Sequence, residues 1–313
     1  MINFFDKIYS IKDKYRVLKK LRFYSALRFI VRIIANVLVP LHYNFTNLFV
    51  CNTLKANRKK QQIIVSLTSF PQRIGRIWIV IESIIRQKNK PDRIILWLSL
   101  NQFKTLELLP KKLLNLQKRG LEIRLCNDDL RSHKKYYYAF QEFPHDVIIT
   151  LDDDVIYNSN LIKHLLRTHK KFPFAIICNH ASKINIKNKQ ILPYARWTNI
   201  KKEIGPTNEI MPIGVGGVLY PPDSMYKDVT DVNTFKEYCI NADDIWLNFM
   251  CRLKGTLVVK TKYKSNYLPV INLNNSALNT SNIHGGLNDK HFNQLRNYYI
   301  KIKNVDPFYD LIN

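Results

Sequence analysis

The sequence predicts an α/β domain with a largely parallel sheet, preceded by a basic helical extension. Three observations carry that expectation. From residue 61 onward, short apolar runs alternate with segments of helical apolar spacing. The joints between them are short, and only 9 Gly and 13 Pro occur in 313 residues, so no long linker is expected. Residues 1–60 differ in character, with thirteen lysines and arginines against Asp6 and Asp13 alone. A boundary near residue 60 divides the extension, 1–60, from the main domain, 61–313.

In the extension, Phe23, Leu27, Ile30, Val31, Ile34 and Leu38 fall on one helical face. Arg22, Arg28 and Arg32 fall on the other, and Pro40 is expected to end the helix. Charges persist past residue 30 with no cleavage pattern, which argues against a signal peptide. The apolar run Ile33–Val39 is too short for a span, which needs about 20 residues. Such a helix suits an anionic membrane surface, or docking on the protein body.

In the main domain Ile63–Leu67 reads as a buried strand and Ile77–Ile85 as a helix. Arg93–Leu98 is a second strand, Leu106–Lys118 a helix closed by Gly120, and Leu121–Leu125 a third strand. A helix over Lys134–Glu142 follows, then a strand at Val147–Leu151, a helix at Leu161–Lys171 and a strand at Phe174–Cys178. Ligands of such sheets bind beyond the carboxyl ends of the strands, so chemistry is sought there.

The formal charge is +25, compatible with nucleic acid, an anionic membrane or a phosphorylated substrate. Nucleic acid is disfavoured: no binding motif occurs, and the aromatics lie in apolar runs rather than between basic residues. Cys51, Cys126, Cys178, Cys239 and Cys251 show no C-x-x-C spacing, which suits buried reduced thiols in a cytosol.

The strand Val147–Leu151 runs directly into Asp152, Asp153 and Asp154. Three adjacent carboxylates repel unless they share a cation. In extended chain Asp152 and Asp154 point together and Asp153 turns away. Two hard oxygen ligands suit Mg2+ or Mn2+ with positions left for phosphates; a solvated acidic turn is the alternative. The segment Thr150–Tyr157 resembles the DxD region of GT-A fold glycosyltransferases, close to the family 2-like enzymes, and the likeness extends in motif order over residues 61–262. It implies a Rossmann-like GT-A sheet flanked by helices, and a nucleotide-sugar donor whose diphosphate is bridged by a metal on Asp152 and Asp154. Asp153 would then touch the ribose.

A second acidic pair, Asp243 and Asp244, opens a strongly amphipathic helix ended by Gly255. Acids there can simply cap the helix. The run Asp243-Asp244-x-x-Leu247 is similar to the family's E-D-x-x-L segment. By position this makes Asp244 the catalytic base, with Asp243 in place of the usual Glu. The resemblance also implies donor contacts from Thr68, Phe70 and Arg73 after the first strand, from Lys134 with its neighbour Lys135, and from Gly216 and Gly217. A late histidine, His284 in preference to His291, would complete the metal set.

The resulting expectation is an inverting, Mn2+- or Mg2+-dependent glycosyltransferase. Its acceptor would be a glycan or lipid-linked glycan of surface polysaccharide or lipopolysaccharide, met on the cytoplasmic face of the cell membrane. A sugar-nucleotide pyrophosphorylase is the rival enzyme, but it would carry a glycine-rich basic loop after the first strand, where only Gly75 stands.

Overall fold

The computed structural model describes residues 1–313 except 12, 50–51, 55–59, 266, 272–285 and 313. Among the described residues the central sheet has eight strands. In chain order they are β1 (Ile63–Thr68), β2 (Arg93–Ser99), β3 (Leu121–Cys126), β4 (Val147–Thr150), β5 (Ile176–Cys178), β6 (Ile204–Thr207), β7 (Val218–Tyr220) and β8 (Val258–Lys260). Their spatial order is β6-β8-β5-β7-β4-β1-β2-β3. The neighbours β4-β1-β2-β3 are parallel, as are β5 and β8, whereas β7 and β6 run antiparallel to their partners.

Alternation along the strands builds the two faces. Val65, Leu67, Ile94, Leu96, Val147 and Ile149 enter one core, while Ile64, Ile95, Trp97 and Ile148 point to the other side. The first core is sealed by α1 (Ile2–Tyr9), α2 (Phe23–Thr46), α3 (Ile77–Ile85) and α5 (Leu161–His169). The second core holds α4 (Lys134–Glu142), α6 (Val232–Tyr238), α7 (Asp243–Lys254) and α8 (Leu287–Lys303). Every residue of α3 is buried, which explains why its sequence is apolar apart from Ser83 and Glu82, and the Glu82 carboxylate is paired with Arg86 and Arg119. Each such Ile contributes about 1.5–3 kcal/mol of burial.

Several expectations change. The helix expected over Leu106–Lys118 is only Lys111–Leu114 followed by a 3-10 segment, because Pro110 stands just before it and fixes its start. The strand expected from Phe174 begins at Ile176. Pro40 does not end α2: it lies inside a helix that continues to Thr46. The buried face of α2 is also rotated from the expected one, being Tyr24, Val31, Ala35, Asn36, Val39 and Tyr43. Ile30, Ile34 and Leu38 face outward. At 24 residues, α2 is long and apolar enough to cross a membrane by length and composition, contrary to the sequence estimate.

The extension joins the main core. Phe5, Val31, Ala35, Val39 and Tyr43 belong to the same buried cluster as β1 and β4. Polar clasps fix it further: the Asp6 carboxylate accepts from Asn158 Nδ2 at 2.9 Å and Ser265 Oγ at 2.6 Å. Asn36 donates to the Pro269 carbonyl at 2.9 Å and accepts from Ile271 N at 2.8 Å.

Candidate active site

The strand order places a crevice between β1 and β4. From β1 the chain moves outward through β2 and β3, then returns to the other side of β1 with β4. Such a reversal opens a cleft at the carboxyl ends. Ser66 of β1 pairs with Thr150 of β4, so Ser69 and Asp153 leave the two strands side by side. Antiparallel β7 begins at that same end, with Val218 opposite Thr150, and so delivers the loop 214–217 to the crevice.

The three aspartates receive different partners. Asp152 is half-buried and meets the Lys135 ammonium at 2.8 Å. Its backbone N–H donates to Tyr157 Oη at 2.9 Å. Asp153 is buried and accepts from Ser69 Oγ and Arg73 Nη1, both at 2.6 Å. Asp154 lies 2.9 Å from the same guanidinium. Burial pushes Asp154 up to about 6; Arg73 opposes that rise, and the charges of Asp152 and Asp153 add to it. Burial raises Asp153 as well, against Arg73.

Lys135 joins the triplet to the second acidic pair. Its Nζ lies 2.8 Å from Asp152 and 2.9 Å from Asp243. Burial works to lower its pKa, but Asp152, Asp243 and Asp244 outweigh burial and hold it well above the usual lysine value. Neither acid of the pair caps α7, whose N-cap is Ala242 without a side-chain bond. Asp244 instead accepts the Gly214 N–H at 3.1 Å on Oδ1 and 3.0 Å on Oδ2. Burial and the adjacent Asp243 charge push Asp244 up to about 7. Asp243 goes the other way: burial would raise it, but Lys135 and His133 hold it below the usual carboxylate value.

Gly214 is the residue that the sequence did not single out. A Cβ there would stand 2.8 Å from Asp244 Oδ1, 3.4 Å from Lys135 Nζ and 3.6 Å from Asp152 Oδ1. Only the Asp244 contact is too short for a Cβ, so the bare backbone lets that carboxylate approach while Lys135 and Asp152 stand at ordinary contact distance. The one signal in the sequence was glycine density over residues 214–217.

Other expected residues are placed differently. Lys134 turns away and pairs with Asp129 at 2.6 Å, so Lys135 is the lysine of the crevice. Gly216 lies against His180 and Tyr267, and Gly217, at φ +79°, against Leu151, away from the acids that Gly214 faces. Thr68 Oγ1 donates to the Trp97 carbonyl at 2.9 Å and ties β1 to β2. Arg73 covers the Phe70 ring at 5.1 Å while holding Asp153 and Asp154. Asp153, sealed by Ser69 and Arg73, is the least open of the three acids. His291 contacts the Tyr238 carbonyl at 2.6 Å between α8 and α6. His284 and the Asn-rich stretch 272–282 lie outside the described residues.

The chemistry of the crevice fits a small hard cation. Asp152 and Asp154 keep 29% and 34% of their side chains exposed, against 7% for Asp153. Mg2+ and Mn2+ accept one or two carboxylates and take their remaining oxygens from phosphates and water. Among the described residues no group of three His, Cys, Asp or Glu is placed to hold a metal ion.

The family described as Glycosyl transferase family 2 matches residues 71–218. Among curated proteins none matches the chain. Three solved structures show limited likeness. HddC from Yersinia pseudotuberculosis is 14% identical over 55% of this chain and 80% of its own, with a TM-score of 0.35. CMP:2-keto-3-deoxy-manno-octonic acid synthetase, complexed with CTP, is 9% identical over 73% of this chain and 100% of its own, at 0.42. The mannosyltransferase PcManGT from Pyrobaculum calidifontis, in complex with GDP-Man and Mn2+, is 10% identical over 90% of this chain and 78% of its own, at 0.48. At these scores none of the three bears on the site. The matched family span begins at the turn after β1, takes in Lys135 and the aspartate triplet, and ends on β7; over residues 71–218, just under half of its length, the chain is thus similar to a glycosyl transferase family 2 domain, which supports a glycosyltransferase activity.

Proposed function

We propose that the enzyme transfers a sugar from a nucleoside-diphosphate sugar to a hydroxyl of a saccharide or lipid-linked saccharide, with inversion, in surface glycan assembly at the cytoplasmic face of the membrane. One observation supports this above the rest: the Lys135 ammonium, within 2.9 Å of both Asp152 and Asp243, draws the triplet and the α7 acids into one crevice.

Asp244 is the base. Its carboxylate is held in place by the Gly214 N–H, and its pKa near 7 suits proton removal at neutral pH. The acceptor oxygen attacks the anomeric carbon and forms the new C–O bond as its proton passes to Asp244. The bond to the diphosphate breaks, and its electron pair leaves with the nucleoside diphosphate. Mn2+ or Mg2+, held by Asp152 and Asp154, would supply positive charge for that leaving group. Arg73, already beside both acids of its corner, fixes the orientation of Asp154. Asp243, kept ionised by Lys135, orients the ammonium rather than taking the proton.

A thermal-shift screen of nucleotide sugars with Mn2+ identifies the donor. Asp244→Asn is expected to bind that donor unchanged and to lose transfer by at least 100-fold, the scale of general-base catalysis. Full turnover in this variant removes Asp244 from the base role. Asp154→Ala is expected to abolish the Mn2+-dependent part of nucleoside-diphosphate binding in calorimetry; an unchanged affinity argues against the metal assignment.

A further inference from the structure

The two faces of α2 have opposite fates. The inner face is closed against the body by Tyr24, Val31, Ala35, Val39 and Tyr43 and by the Asn36 clasp. The outer face carries a row of apolar side chains at every fourth position: Phe29, Ile33, Val37, Leu41 and Phe45, continued by Phe49 beyond the helix end. Phe29 and Phe45 are 62% and 63% exposed and Phe49 is 73% exposed. From Phe29 to Phe45 the row is about 24 Å long at a rise of about 1.5 Å per residue, and it winds across the outer face beside the exposed Ile30, Ile34 and Leu38. Contiguous apolar surface of this extent marks a docking face.

Charge identifies the occupant. Arg16, Lys19, Lys20 and Arg22 are exposed at the start of the row, and no acidic residue occurs between Asp13 and Glu82. A second copy of the chain would set apolar row against apolar row but offer no acidic residue of this segment to the cationic end. An anionic bilayer meets both features at once, headgroups at the basic end and acyl chains along the row. A transmembrane placement conflicts with the inner face. A span would strip the body's contacts from Val31 to Tyr43 and leave the Asn36 amide in hydrocarbon.

We propose that α2 lies in the plane of an anionic membrane surface, its outer row in the headgroup–acyl boundary and its inner face bearing the catalytic domain. The seat is mechanically close to the chemistry. Asn36 grips Pro269 and Ile271, and Val270 N donates to the Asp154 carbonyl at 2.7 Å. The crevice is therefore held at a fixed height above the lipid. This seat stands apart from the transfer chemistry, and its test reads binding rather than turnover.

The full chain is sedimented with vesicles of equal parts phosphatidylglycerol and phosphatidylcholine, and with phosphatidylcholine alone. It is expected to partition at least tenfold more strongly onto the anionic vesicles and to be released by alkaline carbonate. Val37→Glu with Leu41→Glu should reduce partitioning at least tenfold without lowering Tm or nucleoside-diphosphate binding. Arg16→Glu with Lys19→Glu, remote from the core, should remove the preference for anionic lipid, and stands in if the first variant does not fold. Unchanged partitioning in the variants overturns the seat. Resistance to carbonate overturns the in-plane placement. A stable dimer that ignores vesicles and dissociates in the first variant assigns the face to a second copy instead.

Discussion

At the scale of single residues, Lys135 does most to make one site of two acidic motifs. Its side chain is 6% exposed, and its two partners are 29% and 12% exposed. Removing one member of a buried ion pair leaves the others charged and unpaired, which costs about 3–5 kcal/mol. Lys135→Met is therefore expected to lose stability on that scale in urea denaturation and to weaken donor binding. A loss below about 1 kcal/mol indicates that water already screens these groups. Gly214→Ala should behave differently. Its added methyl meets a carboxylate and an ammonium rather than backbone, so it displaces Asp244 and reduces transfer more than it reduces stability. Asp244 also sets a pH dependence. A base with a pKa near 7 is protonated below it, so transfer is expected to fall as pH drops through about 7. The sign for stability is the reverse. Folding raises this pKa above the ordinary 3.8, so the folded state binds a proton that the unfolded state has lost. Its contribution is complete below about pH 4 and declines as pH rises towards 7. Kcat and urea midpoints measured from pH 5 to 8 should therefore move in opposite directions in wild type, and the Asp244-dependent part of both slopes should vanish in Asp244→Asn.

At the scale of elements, α2 shows how local patterning leaves a choice open. Its sequence is apolar around most of its circumference, so several faces could be buried. The face used is the one that places Asn36 against the backbone of 269–271 and stacks Tyr43 under Arg86, whose guanidinium lies 4.7 Å from the ring. Pro40 is tolerated within the helix because neighbouring turns are clamped by packing at Val39 and Tyr43. Asn36→Ala removes two hydrogen bonds to half-buried backbone groups and is expected to cost about 1–3 kcal/mol. Hydrogen exchange should then quicken at Val270 and Ile271 first. A uniform increase across the sheet would show that the clasp is not local.

At the scale of the molecule, the extension is part of the fold. Five of its side chains lie in the cluster that also contains β1 and β4. Deleting residues 1–49 exposes that cluster, and the remainder is expected to aggregate or to melt well below the full chain in calorimetry. A soluble fragment with unchanged Tm would make the extension an appendage after all. The same packing explains how one chain can offer an apolar outer row and keep a stable body: the two demands fall on opposite sides of one helix.

The sequence alone determined five of the eight strands of the sheet, the helices Ile77–Ile85 and Lys134–Glu142, and the two acidic motifs at a strand end and a helix start. These depend on local periodicity and on carboxylates adjacent in the chain, so a short window contains them. Only the tertiary structure decided that Lys135 rather than Lys134 enters the crevice. Neighbouring helix positions point about 100° apart, and the docking of α4 selects one of them. It likewise decided that Gly214 rather than Gly216 faces the acids, and which side of α2 turns inward. Each of these is settled by partners remote in sequence: Asp244 lies 30 residues from Gly214, and Pro269 lies 233 from Asn36. Chain pattern specifies which groups are available; packing specifies which of them meet.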